Sequence, residues 1–174
     1  MMELLAPAGN LECALAAFDA GADAVYCGLK RFNARERTEN FTFEEMSRLL
    51  AYAHKLNRHV YVTFNTLIKE DELDEAAQEL ARLEQLRPDA IIIQDLGIAR
   101  IAREYFPKLV LHGSTQMGLH NSAGLAYAGK LGLSRVILER QTTLAELEQI
   151  MRSKPPVEVE IFIHGALCCC ISGT

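Results

Sequence analysis

The chain of 174 residues lacks the features that would direct it to a membrane or out of the cell. No apolar run reaches the roughly 18 residues that a membrane-spanning helix needs. The N-terminus reads Met-Met-Glu-Leu-Leu, without the basic start and long apolar stretch of a signal peptide. We therefore expect a cytoplasmic protein that has no membrane partner.

An excess of basic residues is also absent. The 18 Lys and Arg residues are outnumbered by 23 Asp and Glu residues, which gives a formal net charge of −5. Hydrophobic residues make up 49% of the chain, an ordinary share for a globular domain. Because no overall positive field attracts nucleic acid, any contact with RNA has to be local or come from sequence outside this chain.

Two common functional patterns are missing as well. The segment Pro7-Ala8-Gly9-Asn10 follows the first apolar run and is too short to be a Gly-rich phosphate-binding loop. An HExxH zinc-peptidase pattern does not occur. The first absence argues against an open doubly wound sheet, and the second argues against a zinc-dependent peptidase.

The sequence does contain a repeated unit of a strand followed by a helix. Asn10 is suited to cap a first helix, and Thr42 with Glu45 forms a capping-box pattern before a second one. Further helices are predicted from about Asp71, Leu96, Asn121 and Thr143. Seven β-prone runs lie near Glu3–Ala6, Ala24–Gly28, His59–Asn65, Ala90–Asp95, Leu109–Ser114, Arg135–Glu139 and Val157–His164.

This alternation predicts parallel strands joined by right-handed crossovers. Runs such as Ile91-Ile92-Ile93 are apolar throughout, which suits a sheet covered on both faces. We expect an α/β fold, a (β/α)8 TIM-like barrel truncated at its C-terminal side with about seven strands present, because a full barrel takes about 200 residues or more. Residues 1–174 would form an incomplete N-terminal barrel domain, with further C-terminal sequence in the full protein. Its exposed sheet edge would favour pairing with a second copy of the chain, which would give a homo-oligomer.

Polar residues gather where the predicted strands end. In a β/α barrel the carboxyl ends of the strands meet at one mouth, where active sites are built. Asp95 is equally suited to cap the following helix, whereas Gln116 is no special capping residue. An arginine directly after a buried strand, such as Arg140, favours a carboxylate-binding role. The candidate substrate-binding residues are Arg35, Asn65, Asp95, Gln116 and Arg140.

Three consecutive cysteines, Cys168 to Cys170, follow the last predicted strand. They could be packing residues, ligands of a metal or iron–sulfur cluster, or a thiolate nucleophile with His164 as its base. The residues alone leave these alternatives open. Cys13 and Cys27 are predicted to be small buried hydrophobic residues.

The final segment resembles the signature of the collagenase-like peptidase family, peptidase family U32. Matching positions there are Glu160, Phe162, Gly165, Ala166, Leu167, Cys168 and Gly173. The resemblance covers the whole chain and includes the segments around Leu4–Gly9, Gly21–Tyr26, Phe32–Arg35, Val62–Thr66, Gln94–Gly97, Ser114–Gln116 and Val136–Arg140.

This resemblance implies oxygen-independent hydroxylation of RNA, of a ribosomal RNA cytidine or a tRNA wobble uridine, with prephenate as the oxygen source. Alternatives within the family are a collagenase-like peptidase, which is a hydrolase, and hydroxylation of a quinone precursor. The resemblance also implies that Cys168 is one ligand of a [4Fe–4S] cluster whose other ligands lie beyond Thr174. The five mouth residues would then hold the small carboxylate, with Lys30, Arg31 and Arg37 helping RNA to bind, while His164 and Cys168 are the candidate catalytic pair of a peptidase.

Overall fold

The computed structural model describes residues 2–35 and 39–165. Within these ranges the seven strands are β1 (Leu5–Pro7), β2 (Ala24–Gly28), β3 (His59–Phe64), β4 (Ala90–Ile93), β5 (Leu111–Gly113), β6 (Arg135–Ile137) and β7 (Glu158–Glu160). The six α-helices are α1 (Leu11–Asp19), α2 (Phe43–Lys55), α3 (Leu73–Leu86), α4 (Leu96–Tyr105), α5 (Ser122–Lys130) and α6 (Leu144–Arg152). Short 3₁₀ helices at Glu70–Glu72 and Thr115–Met117 complete the described elements.

All neighbouring strands are parallel and follow one another in the order β1-β2-β3-β4-β5-β6-β7. The sheet is curled. The guanidinium carbon of Arg135 in β6 lies only 5.4 Å from the ring centroid of Tyr61 in β3. In a flat sheet these two strands would be about 14 Å apart, three strand spacings. The predicted TIM-like barrel fold with seven strands is confirmed.

Strand residues alternate between two hydrophobic cores. In β3, Val60 and Val62 pack outward against the helices, whereas Tyr61 points into the barrel interior. The outer core is the larger of the two and contains fully buried residues of α2, α3 and α4. The inner core contains Ala24, Tyr61, Ala90, Ile92 and Ile137. The helices therefore stabilise the sheet from outside, and the interior is left to carry polar groups.

Local capping fixes where the helices begin. Thr42 Oγ1 accepts a hydrogen bond from Glu45 N, and Glu45 Oε2 accepts one from Thr42 N, which is the predicted capping box. Asn10 caps α1 by accepting from Cys13 N at 2.9 Å. Each such cap stabilises a helix by about 1 kcal/mol.

Three details differ from the prediction. Several strands are shorter than the apolar runs, so that Ser114 and Glu139 lie in loops. Helix α3 begins at Leu73, after a 3₁₀ turn that contains Asp71. Cys13 is exposed, because it lies on the face of α1 that is turned away from the sheet, whereas Cys27 is buried as predicted.

In the described residues no helix combines the length and the apolar character needed to cross a membrane.

Candidate functional site at the barrel mouth

A cavity of about 390 Å³ opens at the carboxyl ends of the strands. Its walls include Pro7 of β1, Thr63 of β3 and Ile92 of β4 at the level of the sheet. Four of the five predicted substrate-binding residues line it, namely Arg35, Asn65, Gln116 and Arg140. The fold thus brings together side chains that lie up to 105 positions apart in the sequence.

The two arginines approach the cavity from different strands. Arg140 follows β6, and its guanidinium carbon lies 4.3 Å from the ring centroid of Phe162. Arg35 comes from the loop after β2, four strands away in the sheet. Guanidinium groups bind carboxylates through paired N–H donors. Two of them at one cavity suit a small acid with more than one carboxylate.

The loop that carries Arg35 is fixed by two asparagines. Asn33 is buried, accepts a hydrogen bond from Arg35 N at 2.8 Å, and donates one to the carbonyl oxygen of Leu29. Asn65, after β3, accepts one from Ala34 N at 3.1 Å. Asn65 therefore has a positioning role for this loop in addition to lining the cavity.

Gln116 lies in the 3₁₀ helix after β5 and is held by its neighbours. Its backbone N–H donates to Ser114 Oγ at 3.2 Å, and Thr115 Oγ1 donates to the carbonyl oxygen of Leu138. Gln116 Oε1 is buried and has no hydrogen-bond partner among the described residues. A buried acceptor without a donor costs about 1–3 kcal/mol, which a ligand that donates a hydrogen bond would recover.

Asp95 is placed differently from the other four candidates. Its Oδ1 accepts from Ile98 N at 3.0 Å and caps α4, and its Oδ2 accepts from Ile68 N at 3.2 Å. It is not among the described residues that line the cavity. Both carboxylate oxygens are thus used to hold the backbone at the rim of the mouth.

The predicted catalytic pair is described only in part. His164 follows β7, is exposed to solvent and does not line the cavity. Cys168 lies outside the described residues, as do the other two cysteines of the cluster and Arg37. Arg31 lies 2.7 Å from Glu75 of α3, so that its charge is directed to the outer helices.

The described residues contain no complete ligand set for a metal ion or iron–sulfur cluster. Within ranges 2–35 and 39–165, no group of three or more His, Cys, Asp or Glu side chains is arranged to hold a metal ion. Burial raises the pKa of the Cys27 thiol to about 12, and this thiol packs against the Met46 sulfur at 3.6 Å. Cys13 lies exposed on α1. Any cluster ligand that this chain supplies would therefore have to lie outside the described residues.

The side chains that line the cavity but were not among the predicted site residues include Tyr26, Glu160 and Phe162. Glu160 is the last residue of β7, with 18% of its side chain exposed. Burial raises its pKa, and Arg135 only partly offsets this. The alternation Glu158-Val159-Glu160 could have revealed it, since residues two apart share a face of a strand.

Beneath the cavity, a cluster of charged residues fills the barrel interior. Arg135 Nη1 lies 2.6 Å from Glu3 Oε1, Arg135 Nη2 lies 2.7 Å from Glu158 Oε2, and the Tyr61 hydroxyl donates to Glu3 at 2.8 Å. His112 packs edge-on against Tyr61 at a centroid distance of 4.8 Å. Burial, together with the nearby charge of Arg135, lowers the pKa of His112 to about 4, so the imidazole is neutral.

Comparison with known proteins identifies relatives along the whole chain. The pattern of peptidase family U32 matches residues 9–174. An uncharacterized protease of Methanocaldococcus jannaschii is 41% identical over 99% of this chain and 43% of its own length. The tRNA hydroxylation protein P of Escherichia coli is 39% identical over 98% of this chain and 38% of its own length.

A solved structure of a U32 peptidase has a TM-score of 0.76 and 12% sequence identity, over 92% of this chain and 68% of that one. At this identity the likeness supports the fold alone. The chain spans less than half the length of the two relatives that it matches in sequence.

Proposed function

This chain belongs to peptidase family U32, and from that premise we propose that it is the N-terminal barrel of an enzyme that hydroxylates RNA. The substrate would be a tRNA or ribosomal RNA base, in keeping with the relative named tRNA hydroxylation protein P. The reaction would use no molecular oxygen and would take its oxygen atom from prephenate. An enzyme acting on tRNA or ribosomal RNA would work in the cytoplasm.

The observation that carries this proposal is the pair of arginines at the mouth cavity. Prephenate is a small dicarboxylate, and Arg35 and Arg140 both line a cavity of about 390 Å³. Gln116 Oε1 would accept a hydrogen bond from a hydroxyl group of the ligand. The ring of Phe162, stacked against Arg140, would give the ligand an apolar wall.

RNA would reach the same mouth from outside. Of the three basic residues predicted to help RNA bind, Lys30 lies on the loop after β2, Arg31 is paired with Glu75, and Arg37 lies outside the described residues. Lys30 would therefore supply a local positive charge on a chain of net charge −5. Binding of RNA here would place a base over the cavity that holds the small acid. Such a contact would weaken as salt rises, because it depends on a few phosphate interactions.

A [4Fe–4S] cluster is the proposed redox cofactor, with Cys168 as one of its ligands. This part of the proposal depends on the family resemblance of the last segment. When bound, the cluster would supply electron transfer. The residues described here contribute binding and orientation of the small acid.

The test uses the protein in its full length, expressed in cells that lack their own copy. Hydroxylated nucleosides in tRNA and ribosomal RNA are measured by mass spectrometry. Arg140→Ala should reduce the modification at least tenfold, because it removes a carboxylate-binding group worth about 1.5–3 kcal/mol. Arg100→Ala is the matched control, since Arg100 lies exposed on α4 and pairs only with Glu104 among the described residues.

Unchanged modification in the Arg140→Ala protein would refute the role of this arginine. The rival function is a peptidase, which the name of the Methanocaldococcus relative favours. Cleavage of gelatin by the purified protein, lost on Cys168→Ser, would support that function. Loss of a hydroxylated quinone instead of a hydroxylated nucleoside would point to a quinone precursor as the substrate.

A further inference from the structure

Glu160 is an acidic side chain directed into a cavity that is otherwise suited to anions. Glu160 of β7 is paired in register with Ile137 of β6, whereas its neighbour Val159 faces the outer core. Among the described residues that line the cavity, Glu160 is the only one with a carboxyl group. An ionised Glu160 and a bound dicarboxylate would therefore repel each other at short range.

The cluster beneath the cavity stabilises the ionised form of Glu160 only weakly. Arg135 Nη1 lies 3.5 Å from Glu160 Oε2, but the same nitrogen lies 2.6 Å from Glu3 Oε1. The rest of the Arg135 guanidinium is directed to Glu158, with N–O distances of 2.7 and 2.9 Å. Arg135 thus serves three carboxylates, and Glu160 has the longest contact of the three.

The other titratable groups around Glu160 do not change this balance. Arg140 and Arg35 line the same cavity, and there a dicarboxylate would engage them. The remaining groups that face the interior are Tyr26 of β2, Tyr61 of β3 and His112 of β5. Tyr61 and His112 are neutral near pH 7, since burial raises the pKa of Tyr61 and lowers that of His112. Burial also raises the pKa of Glu160 itself.

From this geometry we infer that Glu160 takes up a proton when a small dicarboxylate binds in the mouth cavity, and that it then donates this proton to an oxygen of the ligand. The inference rests on the proposed function for the identity of the ligand. It makes Glu160 a catalytic acid of the mouth. The residues beneath it set its protonation state.

The step is a proton transfer in which atoms and charge balance. The O–H bond of the protonated Glu160 breaks, and an O–H bond forms on the ligand. The carboxylate that remains is left beside Arg135, at the 3.5 Å contact seen in the structure. The transferred proton leaves with the ligand, and Glu160 then returns to the protonation state that it has without ligand.

Isothermal titration calorimetry of the full-length protein with prephenate tests the uptake. The titration is repeated near pH 7 in buffers with different enthalpies of ionisation, and the slope gives the protons taken up per ligand. The wild-type protein should take up a positive fraction, at most about one proton. Glu160→Gln should bind prephenate at least as tightly, with the uptake reduced to near zero.

Glu148→Gln is the matched control. Glu148 is exposed on α6, pairs with Arg152 and does not line the cavity, so its replacement should leave the uptake as in the wild type. Equal melting temperatures of the two variants would show that both are folded. In cells, Glu160→Gln should lose nucleoside hydroxylation at least tenfold despite intact binding.

The outcomes separate the two proposals. Full proton uptake in Glu160→Gln, or none in the wild type, would overturn the inference and leave RNA hydroxylation standing. Proton-linked binding of prephenate by a protein that hydroxylates no RNA would overturn the proposed function and retain the uptake by Glu160. Undiminished hydroxylation by Glu160→Gln would overturn its role as the acid.

Discussion

Glu3 and Arg135 form an ion pair of 2.6 Å across the barrel interior, although 132 positions separate them in the sequence. Glu3 precedes β1 and Arg135 begins β6, and their strands are not neighbours in the sheet. The side chains are 24% and 14% exposed, so the pair is largely shielded from water. The pair connects the first residues of the chain to the far side of the sheet below the mouth.

Arg135→Ala should destabilise the protein by about 3 kcal/mol, the cost of leaving a buried carboxylate without its partner. Glu3 and Glu160 both lose a contact in this variant. The free energy of unfolding from urea titration gives the measurement. Arg152→Ala is the control, because Arg152 and its partner Glu148 are exposed, and its effect should stay within about 0.5 kcal/mol.

The buried His112 should make stability depend on pH. Its pKa is about 4 in the folded protein, against 6.5 in an unfolded chain, so the unfolded state binds more protons between these values. The free energy of unfolding should therefore fall as the pH is lowered from about 6.5 towards 4, by about 3 kcal/mol in total. Urea titrations at several pH values should show this slope reduced in His112→Gln.

His54→Gln serves as the control for that experiment. His54 is exposed on α2 and contacts Asp89 at 3.1 Å, so its replacement should leave most of the slope in place. An equal slope in the wild type and in His112→Gln would contradict the neutral, buried state of His112.

Two substitutions of Asp95 distinguish a cap from a ligand. Asp95→Asn retains an oxygen for the N-terminus of α4 but places an amide NH2 group against Ile68 N, so it should cost about 0.5–1 kcal/mol, and RNA hydroxylation should persist. Asp95→Ala should cost about 1–2 kcal/mol, because Ile98 N and Ile68 N both lose their acceptor. Loss of hydroxylation in a folded Asp95→Asn protein would show that the carboxylate itself acts on the substrate.

The elements of the fold were predictable because their signals are local. Caps such as Thr42 with Glu45, and apolar runs such as Ile91–Ile93, depend on residues close together in the sequence. The convergence of Arg35, Gln116 and Arg140 could also be predicted from the sequence, since the parallel strands of a barrel all end at one mouth.

The barrel interior was harder to predict. A strand of a parallel sheet is buried on both faces, so a run such as Val60-Tyr61-Val62 does not reveal which side chain points inward. The partners of Arg135 and the position of Glu160 depend on that choice. Asp95 had two suitable roles from its sequence position, and only the three-dimensional contacts show that both of its oxygens accept from the backbone.

The strictly sequential order of the strands has a consequence for how the chain folds. Each strand pairs with the one that follows it, so the sheet can grow from the N-terminus during synthesis. Pairings between successive units carry a low entropic cost of loop closure, which favours rapid growth. Glu3 is the exception, because its partner Arg135 is synthesised 132 residues later. During that interval its carboxylate has to remain hydrated, and only the arrival of β6 allows the interior to close around it.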